Sequence, residues 1–293
     1  MYENCTLCPR RCGVNRYEKR GFCKAGAEIL CAKATLHQWE EPCISYENGA
    51  GTIFFSGCSL HCCFCQNNII SNELHGKILT VRQLADVFLS LQEKGADNIE
   101  LVTPTHFVPD IIKALDLVRH RLTVPIIYNT GGYELAETIR LLNGYIDVYM
   151  PDIKYFSPEI SARYSNARDY FEYASSAVLE MVSQTGSPQY NAKGGLIKGT
   201  LIRHMVMPTH RHDSIKIIDW IAENIPSPLV SIMNQYTPFD FIDDKFSEIK
   251  RRVTKMEYNS VVRHATKLGI EGFTQQLSSA TEKYVPDFYF SGL

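Results

Sequence analysis

The sequence predicts an α/β protein, a partial (β/α)6 barrel of the TIM type with a small cysteine-rich metal-binding segment at its N-terminal end. Three observations point there. From Gly51 onward, short apolar β-prone runs alternate with amphipathic stretches; each run gives way at once to polar or glycine residues; and all ten cysteines lie between Cys5 and Cys65. Strands separated by helices pair in parallel through right-handed crossovers, and active groups in such barrels sit at the C-terminal ends of the strands. A chain of 293 residues with 45% hydrophobic content is long enough to bury the core this requires.

Residues 1–50 form the cysteine-rich segment. Cys5, Cys8, Cys12 and Cys23 follow a C-x2-C-x3-C pattern with a ten-residue gap before the fourth thiol, and Gly13 and Gly21 supply backbone freedom. Four thiolates on so short a stretch suit a tetrahedral zinc site or a second iron-sulfur cluster; the spacing does not choose between them. Filled by protein on every side, such a site is structural or electron-relaying. Cys31 and Cys43 read as buried single thiols, Cys43 within reach of a cluster edge.

Residues 51–235 form the barrel. Its expected strands are Thr52 to Phe55, Asn98 to Val102, Pro125 to Tyr128, Tyr145 to Met150, Leu201 to Met207 and Leu229 to Met233. Between them, Thr80 to Lys94 carries Val81, Leu84, Val87, Phe88 and Leu91 at helical spacing with Thr80 as a cap. Pro109 to His120, Glu134 to Leu142 and Ser214 to Asn224 read the same way, and Glu159 to Gln184 as two helices. The glycine-rich stretch from Thr185 to Gly199 reads as a flexible loop, either a solvated connector or a cover for the barrel mouth. Residues 236–293 form a helical extension, with helices from Phe246 to Val253 and Tyr258 to Leu268 and an aromatic tail from Pro286 to Phe290 that must dock on the barrel bottom or a partner.

The stretch following the first strand is the most informative. Cys58, Cys62 and Cys65 stand in a C-x3-C-x2-C spacing, so one short loop can bring three soft sulfur ligands to one face of an iron-sulfur cubane. The fourth iron then lacks a protein ligand, and an open coordination position is where a metal site does chemistry. The alternatives are a zinc loop or three buried thiols. Cys63 is the surplus thiol, expected to point away from the cluster. The other strand ends carry Thr103, Thr105 and His106; Asn129, Thr130 and Glu134; Asp152 and Lys154; Arg203 and His204; and Asn234. Asp152 and Lys154, two apart in extended chain, point to one side and can simply pair with each other. His106, His204 and Arg203 have packing or capping as their plain alternatives.

The cysteine spacing, with Phe64 just before the last thiol, resembles the signature of the radical S-adenosylmethionine (SAM) superfamily. That resemblance implies a 4Fe-4S cluster on Cys58, Cys62 and Cys65, whose open iron chelates SAM, and reductive cleavage to methionine and a 5'-deoxyadenosyl radical. Within the superfamily, Asp152 and Lys154 match the D-x-K motif of the pyruvate formate-lyase activating enzyme group. It implies that they hold the ribose and carboxylate ends of SAM. Residues 5–23, 129–134 and 203–208 resemble a branch with an N-terminal four-cysteine segment. Candidate cofactor contacts are Phe64, Thr103, Thr105, His106, Asn129, Thr130, Asp152, Lys154, Arg203, His204 and Asn234. Better-studied activating enzymes receive the SAM amino group at a Gly-Gly-Glu-Pro loop. Here Thr103-Pro104-Thr105-His106 stands in its place, so that contact falls to Thr103, Thr105 or main-chain carbonyls.

The resemblance thus points to hydrogen-atom abstraction, from a glycine of a partner glycyl radical enzyme or from a small molecule or peptide, with a flavodoxin- or ferredoxin-type electron donor. A non-catalytic iron-sulfur protein for electron transfer or sensing is the competing class. The net charge of −2 shows no basic stripe for nucleic acid, and no apolar run approaches membrane-spanning length. Clustered cysteines without a signal peptide predict a cytoplasmic protein.

Overall fold

All six apolar runs become strands of one sheet in the computed structural model, which describes residues 1–275, 288 and 291–293. In chain order the strands are β1 (Ile29–His37), β2 (Ala50–Phe55), β3 (Lys77–Leu79), β4 (Ile99–Val102), β5 (Ile126–Thr130), β6 (Val148–Pro151), β7 (Gln189–Tyr190), β8 (Leu196–Met205), β9 (Leu229–Met233) and β10 (Glu271–Thr274). The helices are α1 (Asn68–Asn72), α2 (Val81–Glu93), α3 (Val108–Val118), α4 (Ala136–Leu141), α5 (Pro158–Ser165), α6 (Tyr170–Thr185), α7 (Arg211–Asn224) and α8 (Lys255–Lys267). The sheet order is β10-β9-β8-β6-β5-β4-β2-β1-β3, with β7 paired to β8 alone. From β2 to β10 the main path is parallel, and among the described residues its two edges do not join. This is the unclosed, partial TIM-type barrel.

The parallel strands are buried on both faces, which is why they read as mostly apolar runs rather than alternating ones. Their outer face packs against Leu84, Phe88, Ile111, Leu115 and Ile139 of the helices. The helix starts obey local chemistry. The Thr80 hydroxyl accepts from the Gln83 amide at 3.2 Å while the Gln83 side chain accepts from the Thr80 amide, a reciprocal cap whose loss costs about 1 kcal/mol. Thr254 and Glu257 repeat it on α8.

The sheet exceeds the 51–235 interval at both ends. β1 pairs antiparallel with β2, and β10 pairs parallel with β9. Beyond β1, the chain crosses the N-terminal ends of the barrel strands. The Leu196 amide donates to Cys43 O at 2.8 Å, and Asn98 Nδ2 to Ile44 O at 2.7 Å. Cys43 and Ile44 therefore close the barrel bottom, in one apolar cluster with Ile127, Met150 and Leu201. Cys43 is thus a packed thiol rather than a neighbour of the cluster loop, and Cys31 is likewise fully buried.

Three expected elements differ. The 185–199 stretch is not a mouth cover: Gln189–Tyr190 folds back on Leu196–Lys198, Lys193 pairs with Glu47, and the turn lies at the N-terminal end of β8. The strand expected at Tyr145 begins at Val148, because the Tyr145 amide still closes the turn after α4 onto Leu142 O. The helix expected over 246–253 is a 3-10 turn, Asp244–Ile249, broken where Phe246 leaves helical geometry at φ −107°. Of the aromatic tail from 286 to 290, only Phe288 lies within the described residues; it packs edge-on against Phe54, near the C-terminal end of β2, with ring centroids 5.4 Å apart, so it sits on the mouth side of this barrel rather than at its bottom. Among the described residues no helix is long and apolar enough to cross a membrane.

Candidate active site

The C-terminal ends of the parallel strands open into one cavity of about 210 Å³. Cys58, Cys62, Phe64 and Cys65 reach it from the loop after β2, Thr103 and Thr105 from the end of β4, and Asn129 and Thr130 from β5. Asp152 and Lys154 enter after β6, and Arg203 from β8. Eleven of the sequence-derived candidates thus share one wall system, as the rule for parallel barrels requires.

The cysteine loop leaves β2 through Gly57, whose φ of +96° and position, with a Cβ only 2.7 Å from Cys23 O, admit no side chain. The Leu60 amide points at Cys58 Sγ (3.4 Å), Ser71 Oγ at Cys65 Sγ (3.6 Å) and Ser165 Oγ at Cys62 Sγ (2.9 Å). Burial, and then the neighbouring thiols Cys62 and Cys65, push Cys58 up to about 12. Arg10 clamps the loop to α5, donating to Ser59 O at 2.9 Å, Asn166 O at 2.6 Å and Ser165 O at 3.1 Å. Phe64 seals the loop edge-on against Tyr236. Cys63 is outside the cavity, half-buried, with its amide on Tyr164 O. Three thiols on one wall, each approached by a hydrogen-bond donor that can stabilise sulfur charge, are a donor set that fits an iron-sulfur cluster.

Opposite lies a charged network. Lys154 Nζ pairs with Asp152 Oδ2, and Arg203 Nε donates to Asp152 Oδ1 at 2.9 Å. Arg203 continues to Asn129 Oδ1 (2.7 Å) and to Glu40 Oε2 (3.3 Å), and Asn129 Nδ2 donates to Glu100 Oε1 at 2.5 Å. Burial by itself would raise the Asp152 carboxyl, but Arg203 and then Lys154 overcome it and hold it below the ordinary range. Glu100 moves the other way: burial, and then Glu40, push it up to about 8. Gly132 makes the arrangement possible. At φ +84° it brings the β5 loop so near the end of β6 that a Cβ would lie 2.0 Å from Asp152 O.

Three candidates do not line the cavity. His106 is buried behind the cysteine loop with Nε2 on Ser56 O at 2.8 Å, and burial drives it down to about 3. His204 follows Arg203 on β8, so it takes the opposite face and packs toward the helices with Nδ1 on Ile153 O at 2.7 Å. Asn234 is buried, its amide donating to Gln275 Oε1 at 2.9 Å. For the two histidines the plain alternative of packing describes their place. Residues not singled out beforehand include Arg10, Glu40 and Glu100. Glu134 belongs to a polar phrase already conspicuous in the sequence, but Glu40, Glu100 and Arg10 carry no local signal.

The N-terminal cysteines lie behind the loop, outside the cavity. The Gly13 amide donates to Cys5 O and the Arg11 amide to Cys8 O, both at 3.0 Å, while the missing side chain of Gly21 leaves room for Cys12 Sγ and Cys23 Sγ, 3.0 and 3.8 Å from where a Cβ would stand. Among the described residues, no three His, Cys, Asp or Glu side chains are grouped as ligands of a single metal ion. The Cys58 amide reaches Cys23 O at 3.3 Å, so the two cysteine segments share a main-chain contact.

A partial parallel barrel with three thiols at its mouth defines the class: the fold and donor set of the radical SAM enzymes. A sequence profile of the Radical SAM superfamily matches residues 52–221, and the chain belongs to that superfamily. Membership implies a 4Fe-4S cluster and SAM. The chain is 29% identical over 281 residues, 92% of its own length and 77% of the other's, to an uncharacterized protein of Methanocaldococcus jannaschii. It is similar in fold to a radical SAM methyltransferase from Sphaerobacter thermophilus, with a TM-score of 0.53 and 13% identity over 77% of this chain. It spans 66% of that methyltransferase's length. Against a domain of pyruvate-formate lyase-activating enzyme from Bacteroides vulgatus the TM-score is 0.43 at 10% identity, over 62% of this chain and 100% of the domain.

Proposed function

We propose that Cys58, Cys62 and Cys65 hold the cluster and that the cavity beside them binds SAM. When bound, the pair supplies one-electron cleavage of the sulfonium, fed by a flavodoxin- or ferredoxin-type donor, and abstraction of a substrate hydrogen atom to give 5'-deoxyadenosine. This chain's own residues bind and orient. Lys154 offers a cation to a carboxylate, Asp152 an acceptor to hydroxyl groups, and Phe64 with Tyr236 walls the loop from solvent. The observation that carries the reading is that the three thiols share one cavity with Asp152, Lys154 and Arg203. Reconstituted protein given dithionite and SAM is expected to form 5'-deoxyadenosine; a yield no higher than that of Cys58→Ala ends the proposal.

The finer reading is a glycyl radical enzyme activating enzyme, supported by the match of Asp152 and Lys154 to the D-x-K motif of that group. A glycyl radical signal in electron spin resonance should then appear on a partner protein, and deuterium from its labelled glycine should reach 5'-deoxyadenosine. Radical chemistry on a small molecule or peptide is the outcome if neither occurs. We also read Cys5, Cys8, Cys12 and Cys23 as a second metal site, zinc or iron-sulfur. It is supported by the room that Gly21 leaves beside Cys12 and Cys23 and by the main-chain contact of Cys23 with Cys58.

A further inference from the structure

At its deep end the cavity is lined by Glu40 and Glu41, on the segment that runs into the barrel bottom at Cys43 and Ile44. The Ile44 and Ser45 amides donate to Glu41 O at 2.7 and 3.1 Å, and Pro42 follows, so a turn fixes the backbone beneath Glu41. Burial, and then the charge of Glu41, raise the Cys43 thiol, which places the Glu41 carboxylate near the bottom cluster. Its side chain differs from the other acids on this wall. Asp152 pairs with both Lys154 and Arg203, and Glu40 pairs with Arg203. Glu41 is 6% exposed, and among the described residues its carboxylate makes no ion pair and no hydrogen bond. Burial raises this carboxyl and the nearby Arg203 opposes the rise, but Arg203 directs Nε, Nη1 and Nη2 to Asp152, Glu40 and Asn129 instead.

A second unmatched group stands beside it. Arg203 on β8 and Ser231 on β9 are register partners, as are Met205 and Met233 one step nearer the mouth. Residues two apart on a strand share a face, and Arg203, Met205 and Met233 line the cavity, so Ser231 faces the same side. The Ser231 hydroxyl is fully buried and close to Glu41, yet it makes no hydrogen bond, to Glu41 or to any other described group. The deep end therefore holds a carboxylate and a hydroxyl below an apolar sleeve of two methionines. Among the described residues that line the cavity, Glu40, Glu41 and Asp152 stand against Lys154 and Arg203, while burial lowers His37 and keeps its imidazole neutral. One negative charge is in excess. An ionised carboxylate withdrawn from water is costly until a cation meets it.

We propose that the substrate enters with a cationic nitrogen foremost, a primary ammonium or a guanidinium, which Glu41 and Ser231 receive while its alkyl stem lies along Met205 and Met233. The inference rests on the radical SAM reading of the cavity and adds a substrate class to it. Carboxylate and hydroxyl both accept from N–H groups, and methionine side chains adapt to an alkyl chain. Glu40, held by Arg203, adds a second negative charge beside the seat. The reacting carbon then lies toward the mouth, on the side of the three thiols. A free amine and a lysine or arginine side chain of a peptide present the same chemistry to this seat.

The test measures equilibrium binding to cluster-loaded protein holding SAM, without reductant. The probes are n-butylamine, n-butanol and butyrate, together with a tripeptide carrying lysine between two glycines and the same peptide carrying norleucine. A hydrogen-bonded charge pair predicts that the ammonium member of at least one set binds about tenfold or more tightly than its neutral partner, with butyrate weaker than butanol. Preference among the free probes marks a small molecule as the source, and preference confined to the peptides marks a side chain. Glu41→Gln should cut the preference to about threefold or less, while SAM and the neutral probes stay within about twofold of wild type. Equal affinity for ammonium and neutral probes in wild-type protein overturns the inference, and that comparison needs no variant. So does an undiminished preference in Glu41→Gln, or an equal loss of both kinds of probe, which marks a structural role. Wild-type protein that binds SAM and none of the probes overturns this inference and leaves the SAM reading standing; protein that binds no SAM overturns both.

Discussion

Asp152 at the end of β6 and Arg203 on β8 are joined twice. Their side chains pair at 2.9 Å, and the Ile153 amide donates to Arg203 O at 2.8 Å, so the charged contact continues the sheet where its regular ladder stops. Both side chains are about 12% exposed. Asp152 also pairs with Lys154, and Arg203 also meets Glu40, so each charge is shared.

Removing the shared anion should therefore leave Lys154 without the carboxylate it pairs with and Arg203 with Glu40 alone. Asp152→Asn is expected to lower stability by about 3 kcal/mol, because breaking a buried pair leaves the partner charged and desolvated. Denaturant unfolding of both proteins checks this. A midpoint within error of wild type would mean that solvent already compensates Arg203 and Lys154.

Gly132 is expected to be intolerant of any side chain. Gly132→Ala places a Cβ 2.0 Å from Asp152 O at a φ of +84°, so the β5 loop must shift away from β6. The left-handed conformation alone costs about 1–2 kcal/mol, and the clash adds to it. The expected outcome is a melting temperature several degrees lower, together with weakened SAM binding. Gly144→Ala, also at positive φ but with nothing within 4 Å, serves as the comparison that isolates the clash.

The buried carboxyl of Glu100 sets a pH dependence. Its pKa is raised from 4.5 to about 8, so the folded protein binds that proton more tightly than the unfolded chain. The stabilisation is complete below about 4.5 and is lost as pH rises through about 8. Glu134, raised to about 7 by burial, acts in the same direction. Stability should thus fall between pH 5 and 8.5, and Glu100→Gln should flatten the fall by on the order of 2 kcal/mol. Melting temperatures of the two proteins at the two pH values decide it; parallel curves would mean that Glu100 titrates normally.

The N-terminal thiols are expected to bind metal independently of the cavity. A Cys5→Ala, Cys8→Ala double variant should lose zinc or iron relative to wild type while keeping the cluster absorbance that depends on Cys58. Unchanged zinc and iron contents in that variant would remove the second site from the proposal.

The parts legible from the chain alone were those governed by neighbours in sequence. Strand runs buried on both faces are mostly apolar, so β2, β4, β5 and β9 stand out, and the polar residues that end them mark the barrel mouth. The C-x3-C-x2-C spacing of Cys58, Cys62 and Cys65 gathers those thiols on one short loop, and residues two apart in extended chain share a side, which brings Asp152 and Lys154 together. Parity was harder. Arg203 and His204 are adjacent on β8 and must face opposite ways, yet only the register against β6 and β9 shows that the arginine enters the cavity.

What the sequence determined by itself, then, is the class of barrel, the cysteine loop and most of the mouth, because periodicity, spacing and turn chemistry act over a few residues. The tertiary structure alone decided that Cys43 and Ile44 close the barrel bottom, that Glu40 and Glu100 join the charged network, that His106 packs away from the cavity, and that Glu134 accepts from both Thr105 and Thr130. Each of these depends on a contact between segments far apart in the chain, and on which face of a strand or turn a side chain takes. Composition and spacing carry no record of either.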